Sequence, residues 1–133
     1  MITNFIVVDD DSVNNMICRK IIKKVSPETD VQEFLEPDTA LIYIKSTYSK
    51  INAPDAVLFL DINMPTITGW EFLEAFERFD TRVKEHLKIY MLSSSVAPSD
   101  KERAANNKNV VDYIEKPLSE EVINSILKEK KAA

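Results

Sequence analysis

Apolar residues fall into five short runs along the chain, separated by stretches in which they recur every three or four positions. The most apolar run, Ala56-Val57-Leu58-Phe59-Leu60, stops at Asp61. It is too short to span a membrane and suits a strand covered on both faces. Pro65 lacks a backbone N–H and restricts Met64, so the run turns into a loop and leaves Asp61 at the carboxyl end of the strand. Phe5-Ile6-Val7-Val8 repeats the pattern and ends in Asp9-Asp10-Asp11-Ser12. Val31–Leu35 is a weaker strand candidate. Lys88–Leu92 runs into Ser93-Ser94-Ser95, and Val110–Ile114 into Glu115-Lys116-Pro117.

Helical spacing fills the intervals. Val13, Met16, Ile17, Ile21, Ile22 and Val25 mark an apolar face, with Asn14, Asn15, Arg19, Lys20, Lys23 and Lys24 on the others and Asp11 or Ser12 as the cap. Pro37, Ala40, Leu41, Ile44 and Tyr48 form a second stripe. Gly69 precedes a third helix marked by Trp70, Phe72, Leu73, Phe76 and Phe79, aromatic residues expected in the core. The helix opened by Pro98 has only Ala104 and Ala105 as an apolar face and is expected to be the least firmly docked. A last helix starts at the Ser119 cap, carries Val122, Ile123, Ile126 and Leu127, and ends in Lys128, Lys130 and Lys131, which suit its dipole. Five strand–helix pairs in alternation predict an α/β fold, a parallel sheet with helices on both faces joined by right-handed crossovers.

Parallel strands put their carboxyl ends on one edge, so Asp9, Asp10, Asp61, Ser93 and Lys116 are expected to converge. Like carboxylates repel by about 4 kcal/mol per pair at 4 Å and an effective dielectric near 20, so the cluster needs positive charge. A lysine and a hard divalent cation serve, and all-oxygen ligands point to Mg²⁺. Carboxylate, Mg²⁺, lysine and hydroxyl together are the parts for phosphoryl transfer to an aspartate through an acyl phosphate. Taken singly, each residue has a plainer reading: Asp61 as a turn residue, Tyr113 as a half-buried strand tyrosine, and Asp11, Ser12 and Ser119 as caps.

Composition narrows the alternatives. A chain of 133 residues, 44% hydrophobic and 29% charged, fits one globular domain. Lys and Arg (17) against Asp and Glu (22) give a net charge of -5, which argues against nucleic acid as the main partner. The one cysteine, Cys18, excludes an intrachain disulfide and fits a reducing compartment. Met1–Asn4 has no basic leader region and no run is long enough for a membrane span, so a cytoplasmic protein without membrane insertion is expected. The one glycine, Gly69, rules out glycine-rich phosphate loops. His86, in a charged stretch, is expected to face solvent and cannot build a transition-metal site alone.

Val7-Val8-Asp9-Asp10, Asp61-x-Asn63-Met64-Pro65, Gly69, Ser93-Ser94 and Tyr113-Ile114-x-Lys116-Pro117 occur in order across the whole chain. In this the sequence resembles a stand-alone response-regulator receiver domain of two-component signalling. The resemblance implies a flavodoxin-like doubly wound five-stranded parallel sheet, order 2-1-3-4-5, with five helices in a single domain, residues 1–133, without an output domain. It implies that Asp61 takes a phosphoryl group from a sensor histidine kinase or histidine phosphotransfer protein. Asp10, Asp61 and the Asn63 backbone carbonyl would bind Mg²⁺, and Asp9 would act through water. Lys116 would pair with Asp61 and then with the phosphoryl group, while Ser93 and Tyr113 would act as the switch.

The face of the Pro98 helix, fifth strand and last helix would then control binding of a downstream protein. Asn109 stands where many relatives have glycine, and asparagine tolerates the left-handed conformation better than other residues. The resemblance places Asn63 and Ser95, two residues after Asp61 and Ser93, at positions whose side chains in the family influence access of hydrolytic water. Alternatives are a receiver excised from a hybrid kinase or longer regulator, a phosphorylation-independent binding module, and a Mg²⁺-dependent phosphatase working through an aspartyl phosphate. Against the phosphatase, Asn63 stands where such enzymes usually carry a second acid. A protein that assists its own phosphorylation, without turnover of outside substrates, is therefore expected.

Overall fold

The computed structural model describes residues 2–132, with side chains through Glu129. Lys130 and Lys131, expected to favour the C-terminal end of the last helix, have side chains outside the described portion. Five strands, β1 (Ile2–Val8), β2 (Asp30–Phe34), β3 (Asp55–Leu60), β4 (Leu87–Ser93) and β5 (Val110–Glu115), form one parallel sheet in the order β2-β1-β3-β4-β5. The flavodoxin-like order is thus as expected. The helices are α1 (Ser12–Val25), α2 (Pro37–Tyr48), α3 (Gly69–Glu77), α4 (Thr81–Lys84), α5 (Pro98–Ala105) and α6 (Glu120–Ala132).

Strand alternation sorts the core into two layers. Ile6, Val8, Leu58, Leu60, Ile89 and Met91 face α2 and α3, where they meet Ile44, Tyr48, Phe72 and Phe76. Phe5, Val7, Val57, Phe59, Tyr90 and Leu92 face α1 and α6, meeting Cys18, Ile22, Ile123 and Ile126. Because β1, β3 and β4 are covered on both faces, their sequences read as continuous apolar runs rather than alternating ones.

Six helices replace the five expected. The third ends at Glu77 rather than at Phe79, and the Asp80 carboxylate then accepts the Arg82 N–H at 3.0 Å to start the extra turn α4. Val83, only 2% exposed, anchors that turn in a stretch that otherwise reads as charged. His86 is half-buried, its Nδ1 3.2 Å from Asp55 Oδ1 and its ring near Tyr48, rather than solvent-facing. Asn109 does not use a left-handed backbone, since no described residue, glycine included, has positive φ. Its N–H instead bonds Asn107 Oδ1 at 2.9 Å and its amide bonds Glu77 at 2.5 Å. β2 lies one residue earlier than expected, and Leu35 is 49% exposed.

The roll of α1 differs most from the expectation. Asn14, Asn15, Cys18 and Ile22 are its buried residues, whereas Val13, Met16 and Ile17 are exposed. Ile22→Ala is therefore expected to cost about 2–5 kcal/mol in denaturant unfolding, and Ile17→Ala no more than about 0.5 kcal/mol. Equal losses would favour the opposite roll.

Candidate functional site

β1 and β3 are adjacent and in register through Val8 and Leu60, so Asp9 and Asp61 leave the sheet side by side. The Asp61 N–H bonds the Val8 carbonyl at 3.0 Å, and the Asp9 N–H bonds that of Phe34 at 3.1 Å. Asp9, Asp10 and Asp61 each present a carboxylate oxygen within 4.8 Å of the others. Asp9 and Asp61 are buried, while Asp10 is exposed and makes no side-chain hydrogen bond among the described residues. Lys116 follows β5 and directs its ammonium across the edge to Asp9 Oδ2 at 2.7 Å, with Asp61 Oδ1 at 3.7 Å. The lysine expected to pair with Asp61 thus lies nearer Asp9.

Ser93 ends β4, fully buried, and its carbonyl accepts the Lys116 N–H at 3.0 Å. Its hydroxyl oxygen accepts the Ser95 N–H at 3.2 Å. The Tyr113 hydroxyl donates to the Ser95 carbonyl at 2.6 Å, tying β5 to the loop before α5. The Ser95 hydroxyl donates to Asp100 at 2.7 Å inside that loop and helix start. Asn63 is exposed in the loop between β3 and α3.

Burial is the main influence on Asp61, and together with the Asp9 charge it pushes the carboxyl up to about 6, against the pull of Lys116. For Lys116, burial favours the neutral amine, but Asp9 and Asp61 outweigh it and the pKa is raised. Cys18, deep under the site, is pushed up to about 12 chiefly by burial, so it remains a neutral thiol.

Three further residues shape the site. Gly69 opens α3, and its N–H bonds the Ile62 carbonyl at 2.8 Å. A Cβ there would lie 2.5 Å from the Asp61 carbonyl oxygen and 3.0 Å from Met91 Cε, so glycine is required by close approach rather than by positive φ. Asn14 donates to Asp9 Oδ2 at 2.8 Å, and Asn15 donates to the Asp9 carbonyl at 3.0 Å. The two amides had no signal in the hydrophobic pattern, which assigned them to outer faces. The available clue was two successive helical amides six and seven positions after the end of the first strand.

Oxygen donors gather at the carboxyl edge of the 2-1-3-4-5 sheet, and the sequence that places them there has known relatives. It matches the response regulator receiver domain over residues 5–128. The chain belongs to the receiver-domain family. A receiver protein of Dyadobacter fermentans is 30% identical, covering 95% of each chain, with a TM-score of 0.86. A two-component response regulator of Cytophaga hutchinsonii is 26% identical, covering 99% of this chain and 98% of that one, with a TM-score of 0.88. Stress response regulator protein 1 of Meyerozyma guilliermondii is 36% identical over 67 residues, 50% of this chain and 28% of that protein. The chain thus spans roughly a quarter of that curated relative. Receiver domains are signalling switches, and among the described residues no helix is long and apolar enough to cross a membrane.

The raised Asp61 pKa has a signed consequence in metal-free protein. The folded state binds more protons than the unfolded chain between about pH 4 and 6, so the stability contributed by Asp61 is present at low pH and is lost as pH rises through about 6. Asp61→Asn should stabilise the protein by about 1–3 kcal/mol at pH 7.5 in EDTA and by little at pH 4, read from urea midpoints. Gly69→Ala should destabilise by about 1–3 kcal/mol and shift the Asp61 and Ile62 amide resonances, because the backbone must move to admit the methyl group.

Proposed function

We propose that the protein is a phospho-accepting signalling switch. An Asp61 carboxylate oxygen bonds to phosphorus as the phosphorus–nitrogen bond of a phosphohistidine breaks, and the donor's imidazole leaves. The donor is a sensor histidine kinase or a histidine phosphotransfer protein. The observation that carries this reading is the convergence of Asp9, Asp10 and Asp61 within 4.8 Å, with the Lys116 ammonium among them.

The donor set fits Mg²⁺, being made of hard oxygen ligands with one carboxylate exposed and not engaged by a side-chain hydrogen bond. Asp10, Asp61 and the Asn63 backbone carbonyl would hold the ion directly, with Asp9 acting through water. Bound there, Mg²⁺ supplies neutralising charge for phosphoryl oxygens. Lys116 turns from the acids to a phosphoryl oxygen, and the Ser93 hydroxyl donates to another. The Ser93 shift is transmitted to Tyr113 and to the face of α5, β5 and α6, where a downstream protein binds.

Asn63 stands where an aspartyl-phosphate phosphatase usually carries a second acid, which favours a switch over turnover of outside substrates. A buried cysteine outside any disulfide, Cys18, and a kinase-derived phosphoryl group both suit the cytoplasm.

Incubation with Mg²⁺ and a small-molecule phosphodonor should place a base-labile, hydroxylamine-labile phosphoryl group on Asp61. Chelation with EDTA and the Asp61→Ala substitution should each abolish the label. Equal labelling of Asp61→Ala would overturn the assignment.

A further inference from the structure

Asp9 is 2% exposed and its carboxylate is held on both oxygens. Oδ1 accepts the Asp11 N–H at 2.9 Å, whereas Oδ2 accepts the Asn14 amide at 2.8 Å and the Lys116 ammonium at 2.7 Å. Asn14 itself is 8% exposed and Asn15 1%, on a helix whose Val13 is 57% and Ile17 38% exposed. The opposite roll would bury more hydrocarbon and fewer amides. Burying an amide is unfavourable unless its hydrogen bonds are made, so the observed roll matters for what those amides hold.

Lys116 cannot serve two partners indefinitely. It lies 3.7 Å from Asp61 while bonded to Asp9, and on the phospho-acceptor reading it turns to a phosphoryl oxygen. A buried carboxylate that loses its cation and keeps one N–H is costly and free to rotate. Asn14 supplies a second donor on the same oxygen that stays in place when the ammonium leaves. Being neutral, it does so without cancelling the negative charge that attracts a cation. Asn15 fixes the Asp9 main chain from the same helix, so two adjacent amides hold both ends of the residue.

We propose that Asn14 is a positioning residue of the phospho-acceptor site: its amide holds Asp9 Oδ2, so that Lys116 can be released to the phosphoryl group while Asp9 keeps its orientation toward the cation. The proposal rests on the phospho-acceptor reading. Asn14 touches none of the reacting atoms and acts through Asp9.

Mg²⁺ titration by calorimetry, with wild-type protein and variants of matched helicity, tests it. Asn14→Leu, close in volume but without a donor, should weaken Mg²⁺ binding about tenfold or more, and Asn14→Gln should recover part of the loss. An unchanged Mg²⁺ affinity in Asn14→Leu would overturn the proposal, because a purely structural role lowers the unfolding temperature without moving that affinity. A measurement on unmutated protein covers the case in which Asn14→Leu does not fold. The Asn14 side-chain amide protons should remain protected from exchange when Mg²⁺ and beryllofluoride are added, and loss of protection would also overturn it. Wild-type protein that neither binds Mg²⁺ nor is labelled on Asp61 would remove the underlying reading as well. Wild-type protein that does both, beside an unchanged Asn14→Leu, removes only the role of Asn14.

Discussion

The contact between Lys116 and Asp9, at 2.7 Å, is the constraint on which the arrangement of the site depends. Adjacent parallel strands β1 and β3 necessarily deliver Asp9 and Asp61 to one place, and their burial makes mutual repulsion strong. Only a cation brought from another strand relieves it. Lys116 does so from β5, on the far side of β4 from β3, and the bond of its N–H to the Ser93 carbonyl fixes where its side chain starts. One ammonium facing three carboxylates leaves a negative excess, the feature that an added cation would answer on the proposed reading.

Such a site contributes little to stability, since desolvating ion pairs tends to offset their attraction. Stability comes from the two apolar layers, where Phe5, Phe59 and Tyr90 on one side and Tyr48, Phe72 and Phe76 on the other are almost fully buried. The division is spatial as well as energetic. The central strands hold their carboxyl ends rigidly, so the acids can be kept close together against their repulsion.

The sheet was legible in the sequence because burial on both faces writes long apolar runs, and the runs of β1, β3 and β4 end at or just before Asp9, Asp61 and Ser93. Convergence of Asp9, Asp10, Asp61 and Lys116 followed from parallel topology alone. The roll of α1 was hidden because periodicity counts hydrocarbon, whereas the deciding contacts are amide bonds to Asp9. Gly69 was visible only as a helix start, since its need for a small side chain depends on the Asp61 carbonyl, eight residues earlier in sequence. The turn α4 was missed for a similar reason: one buried valine, Val83, outweighs the charges around it. Pairing of Lys116 with Asp9 rather than Asp61 depends on distances that strand order does not specify.

The helices bordering the site are held with unequal strength, and this sets which of them can respond to added charge. α3 buries Gly69, Trp70, Phe72, Leu73 and Phe76 and carries a full capping box, so displacing it would expose much apolar surface. α5 buries only Ala104. Its other ties are the Ser95–Asp100 bond at 2.7 Å, the Arg103 guanidinium 4.7 Å from the Trp70 ring centre, and the exposed Lys101–Glu115 pair. Exposed pairs of that kind contribute at most about 1 kcal/mol. A phosphoryl group on Asp61 would add roughly two negative charges beside Ser93 and Lys116, an interaction of larger scale than those ties. Because the Tyr113 hydroxyl already bonds the Ser95 carbonyl at the root of α5, a displacement of the Ser93 loop and a change at Tyr113 are mechanically one event. On the phospho-acceptor reading proposed above, the weakness of the α5 core is what would let a local change of charge become a change of surface.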